Sequence, residues 1–127
     1  MNMSHSRGAL ALAALLSGCA LTPAQVLESA PLATTTIKAG LPALTPCLLS
    51  GMDDIHGAWT TSHRPEPGGT AATFRLHGHA DTGTIAVVRA RRIGERTEVA
   101  VHITESMIPR QPMADKIKGI AEGCDTR

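Results

Sequence analysis

Three histidines have a spacing that could hold a metal ion. His77 and His79 lie two positions apart in a segment of alternating apolar and polar residues, so both would face the same side of a β-strand. Imidazole pairs can bind zinc or copper, and His102, on the outward face of a neighbouring predicted strand, is a third candidate ligand. The alternative is a solvent-facing polar row that also includes Arg75. We favour this row, because no free thiol or carboxylate cluster completes the set, and we predict no metal or other cofactor.

A local run of basic residues is the second candidate site. It consists of Arg89, Arg91, Arg92 and Arg96. Such a patch could bind phosphate groups, anionic lipid headgroups or an acidic partner. However, Glu95 and Glu98 are predicted to face the patch across a hairpin, and cross-strand pairs of opposite charge commonly stabilise sheets. We therefore expect a solvated surface in which these charges are largely balanced.

Ser62 and His63 are the residues that a hydrolase could use. A nucleophile needs its base within reach and a third group that orients the base. Adjacent residues of a strand point to opposite faces, so Ser62 and His63 cannot serve each other directly. The chain also lacks a Gly-x-Ser-x-Gly motif and a glycine-rich phosphate-binding pattern. We predict that the protein is not an enzyme.

The N-terminal segment has the pattern of a secretory signal. Arg7 is followed by an uncharged apolar run over residues 8–16, far shorter than the roughly 20 residues that span a bilayer. The tetrapeptide Leu16-Ser17-Gly18-Cys19 that ends this run resembles the lipobox of bacterial lipoproteins. The resemblance implies cleavage after residue 18 and acylation of Cys19, and two or more acyl chains anchor a protein stably. The alternatives are an ordinary secretory signal that is cut slightly later, with Cys19 as a plain thiol, and a chance apolar start on a cytosolic protein.

The resemblance also implies a location and a pairing of cysteines. Ala20, rather than Asp, follows the lipobox, which suggests the outer membrane with the domain in the periplasm. If Cys19 carries lipid, Cys47 and Cys124 remain, and two cysteines in an oxidising compartment are typical of a disulfide. The bond would close a loop of roughly 77 residues and stabilise the fold by about 4 kcal/mol. The alternative is two unrelated buried thiols.

Length and composition indicate one small domain after the signal. Phe74 and Trp59 are the only aromatic residues, so aliphatic side chains must form the core. Loss of Arg7 with the signal leaves equal numbers of basic and acidic residues. This balance does not point to nucleic acid as a partner, and the chain lacks the aromatic residues on which single strands stack.

The chain is predicted to have three parts. Residues 1–18 form the signal, 19–42 the lipidated N-terminus with a flexible tether rich in Ala, Thr and Pro, and 43–127 the domain. An alternative for the tether is a brief helix over residues 23–29 and a first strand over 34–37. In the domain, Thr45-Pro46 predicts a helix over residues 46–53.

The rest of the domain has the pattern of a β-meander and a final helix. Strands are predicted over residues 58–63, 71–80, 84–93 and 97–105, and a helix over 113–122. Cys124 continues the apolar stripe of this helix, which directs its sulfur towards the first helix. We expect an α+β fold: a three- to four-stranded antiparallel meander with two short helices on one face, joined by the disulfide.

This layout resembles that of small proteobacterial lipoproteins and does not indicate a specific activity. The expected function is that of a membrane-anchored envelope lipoprotein acting as a structural or interaction module, whose partner is an envelope protein or an anionic surface component. The first alternative is a binding module for a metal ion or an anionic envelope component. A hydrolase is the less favoured alternative.

Overall fold

The computed structural model describes residues 22–55, 59–78, 83–105 and 109–126. The strands in these ranges are β1 (Ala33–Ile37), β2 (Thr60–Pro65), β3 (Ala71–His77), β4 (Thr84–Ile93) and β5 (Arg96–Ile103). The helices are α1 (Pro23–Glu28), α2 (Leu41–Asp53) and α3 (Arg110–Gly123), and a 3-10 turn, Cys124–Thr126, follows α3. The strands form one antiparallel sheet in the order β1-β5-β4-β3-β2. The predicted α+β class is confirmed.

The domain has more strands and more helices than the sequence predicts. The described ranges contain five strands and three helices, against an expectation of three to four strands and two helices. Both additions, α1 and β1, lie within residues 22–42, the segment interpreted as a flexible tether. β1 pairs with β5 from Ala33↔Val101 to Ile37↔Thr97, so this segment is part of the folded domain. The alternative of a brief helix and a first strand describes it correctly.

Helix α1 forms because its first residues cap each other. The Thr22 hydroxyl accepts a hydrogen bond from the Gln25 backbone N–H, and the Gln25 side chain accepts one from the Thr22 backbone N–H. This reciprocal arrangement satisfies two backbone donors that the helix itself cannot pair. Pro23 occupies the first helical position, where its missing N–H costs nothing.

Helix α2 begins at Leu41, five residues before the predicted start at Pro46, and ends at Asp53 as expected. Pro46 lies inside the helix, where it removes one hydrogen bond to the preceding turn. Leu44, Leu48 and Met52 follow one another at intervals of four and are completely buried. Burying each such side chain contributes about 1.5–3 kcal/mol, which offsets the lost hydrogen bond.

One face of the sheet packs against α2 and α3, and we call it the helix face. The predicted alternation along β3 and β5 places Phe74, Leu76, Val99 and Val101 in this core, fully buried. The predicted span of β4, residues 84–93, is confirmed. Helix α3 starts three residues earlier than predicted, because Pro112 is tolerated within its first turn.

The predicted disulfide is present and joins the two helices of this face. The Cα atoms of Cys47 and Cys124 are 5.9 Å apart, and the two residues are separated by 77 positions in the chain. Cys124 is buried in the main core, and Cys47 packs against the same core from α2. The bond therefore ties the first half of the domain to its last turn.

Candidate functional site

The opposite side of the sheet, which we call the second face, carries most of the chemistry-bearing side chains. The strand register places the following residues on it: Ser62 from β2, Arg75 and His77 from β3, Arg89 and Arg91 from β4, and Glu98 and His102 from β5. The sequence predicts that this face is exposed to solvent. Instead, α1 packs over β4 and β5 on this side and covers part of it.

His102 lies between α1 and the sheet and holds the C-terminal end of α1 in place. The side chains of Val26 and Val87 are 2% and 0% exposed, and neither belongs to the main core on the helix face. His102 is itself buried, and its Nδ1 lies 2.9 Å from the Ser29 carbonyl oxygen. Only a protonated Nδ1 can donate to a carbonyl, so the neutral ring carries its proton there. The contact between His102 and Ser29 therefore holds α1 on the sheet.

The histidines of the candidate metal site are not brought together. His77 lies on β3 and His102 on β5, with β4 between them, which separates their backbones by about 10 Å. The His77 ring forms a hydrogen bond with the Ser62 hydroxyl, and the His102 ring forms one with the Ser29 carbonyl oxygen. Each ring therefore has its own partner. His79 lies outside the described residues. Within the described ranges, no three His, Cys, Asp or Glu side chains are grouped so that they could hold a metal ion.

Ser62 and His77 form a pair that sequence reasoning missed. The Ser62 Oγ lies 3.2 Å from the His77 Nε2 across strands β2 and β3, within the range of a nucleophile and its base. Burial and the nearby Arg75 guanidinium both lower the pKa of His77. A histidine that acts as the catalytic base becomes positively charged during the reaction, and in hydrolases of the Ser-His-Asp type a carboxylate stabilises that charge. Here the charged neighbour is an arginine, which opposes it.

Strand alternation divides the predicted basic patch between the two faces. Arg89 and Arg91 lie on the second face, each with a glutamate: the Arg89 Nη2 is 3.3 Å from the Glu66 Oε2, and the Arg91 Nη2 is 3.4 Å from the Glu98 Oε1. Glu98 is the predicted partner, whereas Glu66 comes from the loop after β2. Exposed ion pairs of this kind contribute about 1 kcal/mol or less.

Arg92 lies on the helix face of the sheet, where it has a structural role. Its Nη1 donates to the carbonyl oxygens of Lys38 and Ala39, at 3.1 and 3.3 Å, and to the Thr97 hydroxyl at 3.0 Å. Asp125 holds the same connection, because its Oδ1 accepts the backbone N–H groups of Lys38 and Ala39. Both side chains therefore fix the link between β1 and α2.

A cleft of about 500 Å³ lies on the second face beside α1. Leu27 and Pro31 form its apolar wall, and the two arginine–glutamate pairs and His102 line its polar side. Each arginine is balanced by its own carboxylate, so these four side chains have no net formal charge. The cleft can offer hydrogen-bond donors and acceptors together, which suits a mixed polar partner better than a simple anion.

The pKa shifts of His77 and His102, both on the second face, predict how the free energy of unfolding depends on pH. Burial lowers the pKa of His102 below the usual 6.5, although the hydrogen bond to Ser29 acts in the opposite direction. The pKa of His77 is also lowered. As the pH falls below about 6.5, the unfolded chain takes up protons before the folded chain does, so the free energy of unfolding should decrease.

This decrease can be measured by urea unfolding at pH 7.5 and at pH 5.5, followed through the fluorescence of Trp59. The variant His102→Gln should lose less stability between the two pH values than the wild type does. An equal loss in both proteins would contradict the role given to His102.

Comparisons with known proteins place the chain in no family. The chain matches no family model, and a search of curated proteins found no significant match. Its function must therefore be inferred from its own residues. In the parts of the chain that the structure describes, no helix has the length and apolar character needed to cross a membrane.

Proposed function

We propose that this protein is a bacterial envelope lipoprotein, anchored in the outer membrane through acylated Cys19, with a periplasmic domain that serves as a structural or interaction module. The observation that carries the proposal is the bond between Cys47 and Cys124. A disulfide in a small domain is typical of an oxidising compartment. It also leaves Cys19 as the only cysteine outside the bond, at the end of a lipobox-like sequence.

A non-enzymatic role has support from the second face. Among the described residues, the Ser62–His77 pair has the Arg75 guanidinium near its histidine, whereas a hydrolase uses a carboxylate to orient and stabilise that ring. Binding of a metal ion or an anionic component is the alternative function, and it has less support. His77 and His102 are two strands apart, and the arginines of the cleft already pair with glutamates.

The anchor can be tested in a bacterial host that processes lipoproteins. The wild-type protein should appear in the membrane fraction, and its N-terminal peptide should carry the mass of a diacylglyceryl group and an acyl chain on Cys19. The variant Cys19→Ala should move to the soluble fraction, because the thiol that receives the lipid is gone.

The variant Ser17→Ala provides the matched control. It keeps a small residue before the cleavage position and should remain in the membrane like the wild type. Unchanged membrane association of Cys19→Ala would rule out the anchor.

A further inference from the structure

We infer that the α1 side of the domain lies directly against the headgroup layer of the membrane that holds Cys19. This inference rests on the proposed anchor and goes beyond it, because it assigns the surface of the domain that meets the lipid. The surface consists of α1 and the segment that follows it, residues 22–31. Its partner is the bilayer surface.

The length of the covalent link sets how far the domain can stand from the membrane. The folded structure includes Thr22, and only Ala20 and Leu21 separate this residue from Cys19. Three Cα–Cα steps span at most about 11 Å, whatever conformation the link takes. The headgroup region of one leaflet is about 5–8 Å thick. The start of α1 must therefore stay within or next to this region.

Helix α1 is packed on the domain and does not detach to lengthen the link between the domain and Cys19. Val26 is buried, Ser29 accepts the hydrogen bond from His102, and the Leu32 N–H donates to the Val101 carbonyl oxygen at 2.9 Å. The Gln111 side chain also donates to the Leu32 carbonyl oxygen at 3.0 Å. Peeling α1 away would break the contact between His102 and Ser29 and expose Val26 and Val87, while the Leu32 hydrogen bonds fix the segment that follows α1. The short link therefore brings the whole domain to the membrane.

The chemistry of α1 suits contact with headgroups rather than insertion into the bilayer. Its exposed positions, together with the segment that follows, carry small or polar side chains and one charge: Thr22, Ala24, Gln25, Glu28, Ala30 and Pro31. A helix that inserts would present large apolar side chains on its free face, but Val26 points into the domain. The lipid on Cys19 supplies the attachment, and α1 provides a polar contact surface that carries the single negative charge of Glu28.

This orientation gives the two sides of the domain different surroundings. Leu27 and Pro31 form a wall of the second-face cleft, so the cleft lies beside the membrane. Helices α2 and α3 lie on the other side of the sheet, one to two layers of about 10 Å farther from the lipid. A partner that enters the cleft must therefore approach along the bilayer surface.

Fluorescence quenching on vesicles tests this orientation. The full lipidated chain is reconstituted into vesicles of phosphatidylethanolamine and phosphatidylglycerol that contain lipids with a nitroxide on the headgroup. A fluorophore is attached to Ala24→Cys on α1 or, as the matched position, to Lys116→Cys on the exposed side of α3. Quenching at position 24 should be several-fold stronger than at position 116. An eight-residue Gly/Ser insertion between Leu21 and Thr22 should abolish the difference.

Each outcome distinguishes the orientation from the anchor. Equal quenching at positions 24 and 116, in protein whose Cys19 lipid is verified by mass, would overturn the orientation and leave the anchor intact. If quenching at position 24 stays strong after the insertion, the short link does not cause the orientation, and that part of the inference is overturned. Absence of lipid on Cys19 would overturn both the anchor and the orientation.

Discussion

Reduction of the Cys47–Cys124 bond is expected to lower the free energy of unfolding by about 4 kcal/mol. The reason is that the bond closes a loop of 77 positions, so its loss restores a large number of conformations to the unfolded chain. Domains of this size are stable by only about 5–15 kcal/mol in total. The reduced protein should therefore lose a large fraction of its stability.

Urea unfolding with and without a reductant measures this loss, with Trp59 as the fluorescent probe. The double variant Cys47→Ser/Cys124→Ser serves as the control, since the reductant should not change its unfolding curve. A wild-type protein that loses less than about 1 kcal/mol on reduction would show that the bond contributes much less than loop closure predicts.

Substitution of Gly51 by alanine should destabilise the domain by about 1–3 kcal/mol, the range typical of overpacking. Gly51 lies in α2 where this helix meets α3. A Cβ atom at this position would overlap the Cγ2 methyl of Ile120. This methyl is attached to a branched Cβ that has little rotameric freedom in a helix. The helices would have to move apart beside the disulfide that joins them.

Gly119 in α3 provides a matched control for this prediction. It is also a helical glycine, but a Cβ atom there would have no neighbour within 4 Å. Gly119→Ala should therefore stabilise the protein by about 0.5–1 kcal/mol, through helix propensity alone. Urea unfolding of the two variants compares them directly. Equal stabilisation by both substitutions would mean that α2 and α3 are not in close contact at Gly51.

The parts of the fold that the sequence predicts well have strong periodic patterns. The limits of β4 and the alternation along β3 and β5 follow from apolar residues at every second position, with turns on either side. The disulfide was predictable because the lipobox resemblance leaves Cys47 and Cys124 as a pair, and because Cys124 continues the buried stripe of α3. In each case the local pattern and the tertiary packing favour the same structure.

The elements that the prediction missed depend on contacts distant in sequence. β1 is a short, threonine-rich edge strand with one buried residue, Ile37, so it has little pattern of its own and is stabilised by pairing with β5. α1 could have been found, since Thr22 and Gln25 have the spacing of a capping box. At α2, Pro42 and Pro46 both fit a helix start, and burial of Leu44 decides between them.

The candidate site was only partly predictable for a similar reason. Strand alternation alone places His77 and His102 on one face and separates Arg92 from Arg91. The partners of these residues, however, depend on strand register and on the loop that carries Glu66. The hydrogen bond between Ser62 and His77 cannot be derived without knowing which strands are neighbours. The same holds for the packing of α1 over His102.

The position of β1 in the sheet has a consequence for when the chain can fold during synthesis. β1 lies near the N-terminal end of the described residues, yet its only neighbouring strand within the described sheet is β5. The loop after β1 is held by Asp125, whose contact with Lys38 spans 87 positions. Contacts this distant form slowly and only after the intervening chain is present. The domain therefore cannot close on its N-terminal segment until its last residues have been synthesised.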